Sequence, residues 1–518
     1  MNSIPAISVL TLLPLLGAVL VLGVGARSRK LARLLALACA FVSLAMTLIL
    51  WHRFNPAYGG LQFEEAHAWI PALGVQYHVG IDGLGLLMLL LSAIVVPMAM
   101  AASWQIQERV PLYFSLMLML EAGLFGTFTA LNFFHWFLFW ELSLIPAFFL
   151  IRLWGGPRRA TAATQFFLYT MVGSVALLLA FLAIFTATGK FDFMDLAALA
   201  RNGQLLPAFA AIPHWHTFTA AKIALMLGFG VFLGFAVKVP LVPFHTWLPS
   251  TYAEAPTGTT MLLTGAMSKM GLYGFLRILL PIFYVEMRWA RTPLLWLAVA
   301  TIVLSAYAAL AQKDLKRIFA YSSINHLGYC MLGIFAIVKF TGNDPALATE
   351  KAAALNGVFL QMFNHGLTAA TLFWFVALLE KRSGGLRGLN DFGGLRKVAP
   401  VLCGLMGIAL FSSLGLPGLN GFVGEFLIFK GAFPLATWAA AVSVLGLLLT
   451  AIFILTILQR VFSGPLNEKW SQMHDLTLGE RLALLPAIAL MFVLGLYPQL
   501  VLGVVNSTAM EIVRQLRF

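Results

Sequence analysis

Gly234-Phe235-Ala236-Val237-Lys238-Val239-Pro240-Leu241-Val242-Pro243-Phe244-His245 sets a lysine, two prolines and a histidine inside an apolar run that begins near residue 218. An apolar run of about 20 residues is long enough to cross a bilayer. Proline removes a backbone donor and clashes with the preceding turn, so the helix is interrupted at Pro240 and carbonyls are left unpaired. At membrane depth such backbone is tolerated only where it lines a polar or hydrated cavity. A second apolar run breaks in the same manner at Ser412-Ser413-Leu414-Gly415-Leu416-Pro417-Gly418-Leu419-Asn420-Gly421. Each break has an ionisable neighbour, Lys238 at the first and Glu425 just after the second. Interrupted helices at corresponding places in two halves point to an inverted repeat whose site lies at the breaks.

Working outward, hydrophobic residues make up 61% of the 518 positions and charged residues only 10%, and mean hydropathy is +0.90. Soluble globular chains carry about 25% charged residues, so a water-soluble enzyme is excluded. The reading is an all-α integral membrane protein of about 14 transmembrane helices, with two inverted five-helix repeats and two broken helices. It divides into residues 1–110 (helices 1–3), 111–280 (first repeat, helices 4–8), 281–463 (second repeat, helices 9–13) and 464–518 (helix 14, a span over roughly 480–505). The polar stretches at about 52–80 and 188–218 read as loops lying on the membrane. The net charge of +13 forms no single stripe, which argues against a nucleic-acid partner. Lys and Arg instead gather in alternate loops, and the positive-inside rule then sets both termini outside the cytoplasm. The first apolar segment lacks a basic leader and a cleavage site, and reads as a retained helix.

Cys39, Cys330 and Cys403 stand alone in apolar segments, so neither an iron–sulfur cluster nor a zinc site is encoded. No P-loop is present. Gly228-x-Gly230-x-x-x-Gly234 has the wrong spacing for a dinucleotide fingerprint and reads as a helix-packing stripe. His214-Trp215-His216 lacks a third ligand and reads as surface. The chain has no redox or hydrolytic machinery of its own, so whatever powers it lies elsewhere.

What remains is charge in a costly place. An ionised side chain at the centre of a span costs about 2.5–3.5 kcal/mol on insertion scales. Glu141 follows Phe139-Trp140 near the middle of the fifth span, and Lys238 lies at the first break. Lys269 lies roughly 18 Å along the eighth span, Glu425 follows Gly424 in the twelfth, and Glu121 lies in the fourth. The structural alternative for each is a buried ion pair that fixes helix packing. Nearer span ends, Arg277 and Lys222 read as side chains snorkelling to an interface, and Asp82 reads as a helix cap. His245, His326 and His365 fall within or beside the same spans, and imidazole suits a proton relay. Together these residues describe a protein that moves protons or other cations.

At these residues the sequence becomes recognisable. Phe139-Trp140-Glu141-Leu142-Ser143-Leu144-Ile145-Pro146, Ala236-Val237-Lys238-Val239-Pro240 through His245-Thr246-Trp247-Leu248-Pro249, and Glu254-Ala255-Pro256 carry the resemblance. So do Lys269-Met270-Gly271, Asp314-Leu315-Lys316-Arg317-Ile318-Phe319-Ala320-Tyr321-Ser322-Ser323, and Gly415-Leu416-Pro417-Gly418 through Gly424-Glu425-Phe426. The chain resembles the antiporter-like subunits of proton-pumping NADH:quinone oxidoreductase (respiratory complex I), most closely the M type. In that family the second break carries Lys in the L and N types and in multisubunit sodium/proton antiporters, and Glu in the M type. Here it is Glu425. Two features depart from the family: Ser250-Thr251-Tyr252 stands where Asp-Ala-His is frequent, and Asn325 and Asn364 precede histidines that more often follow Ser.

The resemblance implies that Glu141 and Lys238 form an ion pair, that Lys269 connects the halves and that Glu425 ends the relay. It implies axis positions for His245, His326 and His365 and a helix-four role for Glu121. It places the chain in a bacterial inner membrane beside L-type and N-type subunits, with no cofactor of its own. FMN, iron–sulfur clusters and quinone are expected in partner subunits. The alternatives are a homologous subunit of a sodium/proton antiporter, or of a membrane-bound hydrogenase, formate hydrogenlyase or deazaflavin-linked dehydrogenase.

Overall fold

A computed structural model describes residues 5–25, 28–211, 218–342 and 344–516. The His214–His216 pair therefore lies outside the described residues. Among those residues, 11 helices are long and apolar enough to cross a membrane. Three further expected spans are helical but do not reach that measure. The segment 257–282 is interrupted by π turns at Leu263–Met267 and Phe275–Leu279, Leu315–Ile337 is rich in buried polar side chains, and the twelfth is broken into Pro400–Leu414 and Asn420–Leu435.

Caps define where helices start, because the first backbone N–H groups of a helix have no partner within it. Asn132, Asp192, Thr219, Asp314 and Asp344 each accept from a backbone amide in the first turn of the helix that follows. Thr477 and Glu480 form a capping box at the start of Leu478–Leu496, satisfying two donors reciprocally.

The 39-residue helix Pro345–Ser383 runs through the middle of the molecule, and its most apolar window is wholly buried. Helices Ala6–Gly25 and Arg29–Arg53 lie at the edge and expose Leu16, Val19, Leu20, Phe41 and Leu48. In lipid such a surface is the solvated one. The glycine stripe does what its spacing suggests: a Cβ at Gly234 would meet Leu177 Cβ at 2.9 Å and the Gly173 carbonyl at 3.0 Å. Helix Ala220–Lys238 thus lies directly on Arg159–Thr188.

The structure corrects the reading in four places. The stretch at 52–80 is no plain loop: Gln62–Ile70 and Val75–Ile81 pair as an antiparallel hairpin, turning at Gly74, whose φ of 63° suits glycine. The stretch at 188–218 contains helices Phe193–Arg201 and Leu205–Ala210. The last span ends at Leu496, and a separate helix Gln499–Gln515 follows. Pro498 cannot continue the first helix, and the second buries Val501, Val505, Thr508, Ala509 and Val513 along one side only, the mark of a helix lying on a surface. Finally, Arg277 does not snorkel. It forms a buried ion pair with Asp82, which also caps helix Gly83–Ala102 through the Gly85 amide at 2.9 Å. An unpaired guanidinium at that depth would be the costlier state.

Polar contacts beyond the spans gather on two opposite faces. On one, the hairpin face, His78 Nδ1 is 2.5 Å from Asp192 and Nε2 is 3.1 Å from Glu64. Burial alone would pull the His78 pKa down, but the two carboxylates outweigh it and raise the value. On the other face Arg387 joins Asp314 (2.7 Å), Glu380 (3.2 Å) and the Ala253 carbonyl (2.9 Å). That knot ties the chain after the first break to the second half.

Candidate functional site

The first break lies between helix Ala220–Lys238 and the short helix Trp247–Glu254. Its orphaned backbone groups are taken by side chains. The Trp247 indole donates to the Val237 carbonyl at 3.0 Å, and Thr301, from the second half, accepts from the Val242 amide at 3.0 Å. Lys238 is buried. Its Nζ lies 4.4 Å from the centroid of the Trp140 ring and 3.4 Å from Ser143 Oγ. A cation over an indole face is attracted to the ring quadrupole, worth about 2 kcal/mol when desolvated.

Glu141 is not in ion-pair contact with Lys238. The reason is helical geometry: Trp140 and Ser143 are three residues apart and share a face, whereas Glu141 points about 100° away. Glu141 is half-buried, and its Oε1 has no hydrogen-bond partner. The expected direct pair is thus replaced by a lysine held by an aromatic face and a hydroxyl, with the carboxylate turned to the side.

The second break is built from different parts. Gly415 adopts φ 80°, a left-handed cap that glycine accepts without strain, and the Leu416 amide reaches back to the Phe411 carbonyl at 3.0 Å. Asn364 and Asn420 exchange side-chain-to-backbone hydrogen bonds at 2.6 and 3.4 Å, pinning the break to the central helix. Just beyond it, Glu425 Oε1 lies 2.8 Å from His326 Nδ1 and accepts from Gln361 Nε2 at 3.0 Å. His326 Nε2 reaches Ser413 Oγ at 3.2 Å.

Lys269 joins this second group. Its Nζ donates to the Thr264 carbonyl at 2.6 Å and lies 2.7 Å from His365 Nδ1. A protonated Lys269 makes that nitrogen the acceptor and leaves the imidazole proton on Nε2, which has no partner. The π turns either side of Ser268–Gly274 set the lysine's direction, and π turns recur at functional sites. His365 and His326 have ring centroids 5.5 Å apart. Both line a cavity of about 20 Å³ together with Gln361, Ser412, Ser413 and Glu425, room for about one water. The result is a row, Lys269–His365–His326–Glu425, of groups that both give and take protons, closed by a carboxylate.

Four of the eight expected residues, Lys269, His365, His326 and Glu425, are thus brought together. Lys238 and Glu141 form a separate cluster, and among the described residues no side-chain hydrogen bond joins it to the row. His245 lies at the first break, half-buried, with Nδ1 unpartnered. Glu121 is fully buried, with neither oxygen in hydrogen-bonding geometry, on the helix whose Gly123 packs directly against Ser143 of the Lys238 cluster. Ser143, Ser413 and Gln361 were not singled out from sequence. Gln361 carried a usable signal, since it precedes His365 by four residues and so shares its helix face. The hydroxyls carried none. Asn325, one of the family departures, bonds the Ile302 carbonyl at 2.8 Å and thereby braces two helices.

With this geometry in hand, the chain can be set beside known proteins. Residues 130–450 match the family model described as NADH:quinone oxidoreductase/Mrp antiporter, TM. The chain belongs to that family. Both breaks and the whole row of buried residues fall within the matched span. The Rhodobacter capsulatus protein named NADH-quinone oxidoreductase subunit M is 35% identical over 513 residues, covering 98% of this chain and 96% of that one. Among solved structures, a chain of respiratory complex I from Thermus thermophilus with bound NADH superimposes with a TM-score of 0.83 at 28% identity, covering 98% and 99% of the two chains. A chain of the Mrp complex from Dietzia sp. DQ12-45-1b gives 0.81 at 20% identity, covering 99% of each, and there the likeness is one of fold. Membership in this NADH:quinone oxidoreductase/Mrp antiporter family agrees with the multi-pass helical fold and with polar groups kept at membrane depth.

Proposed function

We propose that this chain is the M-type membrane-arm subunit of a NADH-quinone oxidoreductase and carries protons across the membrane while other subunits oxidise NADH and reduce quinone. The observation that carries this reading is the buried carboxylate of Glu425 at the second break, held by His326 and Gln361 at the end of a row of titratable groups. Near full-length likeness to a protein named subunit M supports the choice of parent enzyme. FMN, iron–sulfur clusters and quinone then belong to partner subunits, a placement supported by three isolated free cysteines. L-type and N-type antiporter-like subunits are the neighbours this assigns, in a bacterial inner membrane. The four segments 1–110, 111–280, 281–463 and 464–518 are its structural units.

In this mechanism Lys238 holds a proton between Trp140 and Ser143, with Glu141 as the carboxylate whose approach or withdrawal tunes it. Buried charge suits such control, because desolvation largely offsets attraction and small shifts tip the balance. Transfer to Lys269 requires water or side-chain motion, since the two clusters are not directly bonded. From Lys269 the proton passes through His365 and His326 to Glu425. His245 and Glu121 are assigned supporting places on the same route, by resemblance.

The test is donor-driven proton uptake in inverted membrane vesicles, comparing the native complex with Glu141→Gln. NADH should acidify native vesicles, and the variant should lose this while the complex still assembles. If hydrogen or formate works and NADH does not, the parent enzyme is a different one. Normal pumping by the variant would return Glu141 to a packing role.

A further inference from the structure

On the hairpin face of the second half, Arg288, Arg291, Lys339 and Lys351 come together at the ends of several helices. Lys351 is only 2% exposed, and Arg291, Arg288 and Lys339 all act on it electrostatically. Among the described residues none of these cations has an ion-pair partner. The nearby carboxylates are otherwise engaged or turned away. Glu350 is taken by Lys430 at 2.8 Å, Asp344 caps its own helix through the Ala346 and Leu347 amides, and Glu286 lines cavities beside Pro281 and Trp289.

Part of this charge has an internal use. Arg291 donates to the Leu435 carbonyl at 2.5 Å and Lys339 to the Pro434 carbonyl at 3.3 Å, which suits the negative end of helix Asn420–Leu435. That use leaves donors over. Among the described residues, Arg291 Nε is buried without a partner, Arg288 covers the Phe340 ring at 4.4 Å, and the Lys351 ammonium has no hydrogen bond. Three cations around a buried lysine repel it and one another unless an anion joins them.

The surroundings say which anion. Trp289 is 77% exposed and Phe340 52%, as aromatic side chains are where a protein meets the headgroup layer. Helix Tyr284–Trp289 also borders an apolar cavity of about 350 Å³ lined by Phe229, Phe232, Met287, Trp289 and Leu297, a surface suited to an acyl chain. We propose that Arg288, Arg291, Lys339 and Lys351 bind the phosphate of an anionic phospholipid headgroup. Basic pockets between transmembrane helices recognise such headgroups, and guanidinium with ammonium supplies both the bidentate and the point-charge contact that phosphate takes. The lipid bridges Tyr284–Trp289 to the start of the central helix and so steadies the end of the second half opposite the Arg387 knot.

The test uses the intact purified complex in phosphatidylcholine vesicles doped with photoactivatable phosphatidylglycerol. Cross-links should map to residues 284–296 and 337–354, and excess phosphatidylglycerol should suppress them where phosphatidylcholine does not. Lys351→Gln and the exposed Arg288→Gln, tested separately so that a folding defect in the buried variant cannot decide the matter, should each lower labelling roughly five-fold. Inorganic phosphate should leave labelling unchanged. Labelling that is unchanged in both variants, or equally suppressed by phosphatidylcholine, would overturn the proposal. Displacement by inorganic phosphate would overturn it too, making the site one for free anion.

Discussion

The two broken helices solve one problem with opposite chemistries. At the first, prolines at 240 and 243 open the backbone, and the freed groups are met by Trp247 and Thr301. The charge left there is a lysine with few direct contacts, one ring face and one hydroxyl, and a carboxylate, Glu141, that acts on it electrostatically without touching it. At the second, Gly415 turns the chain and paired asparagines pin it. The charge there is a carboxylate hydrogen-bonded to His326 and Gln361, with the Lys269–His365 pair one ring-to-ring step of 5.5 Å away. A sparsely held cation is easily perturbed from outside, whereas a chained carboxylate conducts but resists change. On the proposed mechanism, the cluster at the first break receives the signal and the row ending at the second carries the proton.

This contrast can be broken most directly at the chained end. Lys269→Met removes the head of the row and leaves His365 Nδ1 and the Thr264 carbonyl without their donor. NADH-driven proton uptake should fall on the order of 100-fold, the lower range for losing a positioned proton-transfer group. Uptake within twofold of native would mean that the row is structural and the halves do not divide labour. The sparse end should give a smaller response. Trp140→Leu removes about 2 kcal/mol of cation–π attraction at Lys238, so uptake should drop by up to about 30-fold while assembly, followed by native gel, is unchanged. A loss equal to that of Lys269→Met would erase the proposed difference between the halves.

The smallest effect concerns the hairpin, which reaches the first repeat through His78 to Asp192 and the N-terminal helix through Glu65 to Ile7. The folded-state His78 pKa is raised by the Asp192 and Glu64 carboxylates outweighing burial. A raised folded pKa contributes stability that is full below the unfolded value of about 6.5 and is lost as pH climbs through the folded value. His78→Gln should therefore lower the thermal midpoint of the complex near pH 6, by an amount corresponding to about 1 kcal/mol with Glu64 half-exposed. The difference from native should shrink towards pH 9. A gap that is constant with pH would assign His78 to packing alone, by way of its neighbours in the hairpin.

Much of the site was legible because lipid makes charge conspicuous. In a soluble protein Lys238, Lys269 and Glu425 would be unremarkable surface residues. Within apolar runs each needs a polar interior, and Pro240, Pro243, Gly415 and Pro417 mark where the backbone opens to supply one. Ser143 and Ser413 were illegible, because a serine inside a span is cheap to bury through a bond to its own helix, and nothing in its sequence context says which lysine or histidine it faces. The hairpin at 62–81 was illegible for another reason. Its strands carry Glu64, Glu65, His67 and His78 on a mixed pattern, so neither helical nor strand periodicity stands out.

By itself, then, the sequence determined that the chain spans a membrane many times, that two of its helices break, and that titratable groups lie at the breaks. These follow from solvation: apolar length, the missing proline donor and the cost of charge in hydrocarbon act residue by residue. The tertiary structure alone decided which groups touch. It gave Lys238 to Trp140 and Ser143 instead of Glu141, paired Arg277 with Asp82, and lined up Lys269, His365, His326 and Glu425. Helical periodicity fixes the face a side chain occupies on its own helix, but the partner across the interface depends on how neighbouring helices are rotated and crossed. That is settled only by packing the whole bundle at once.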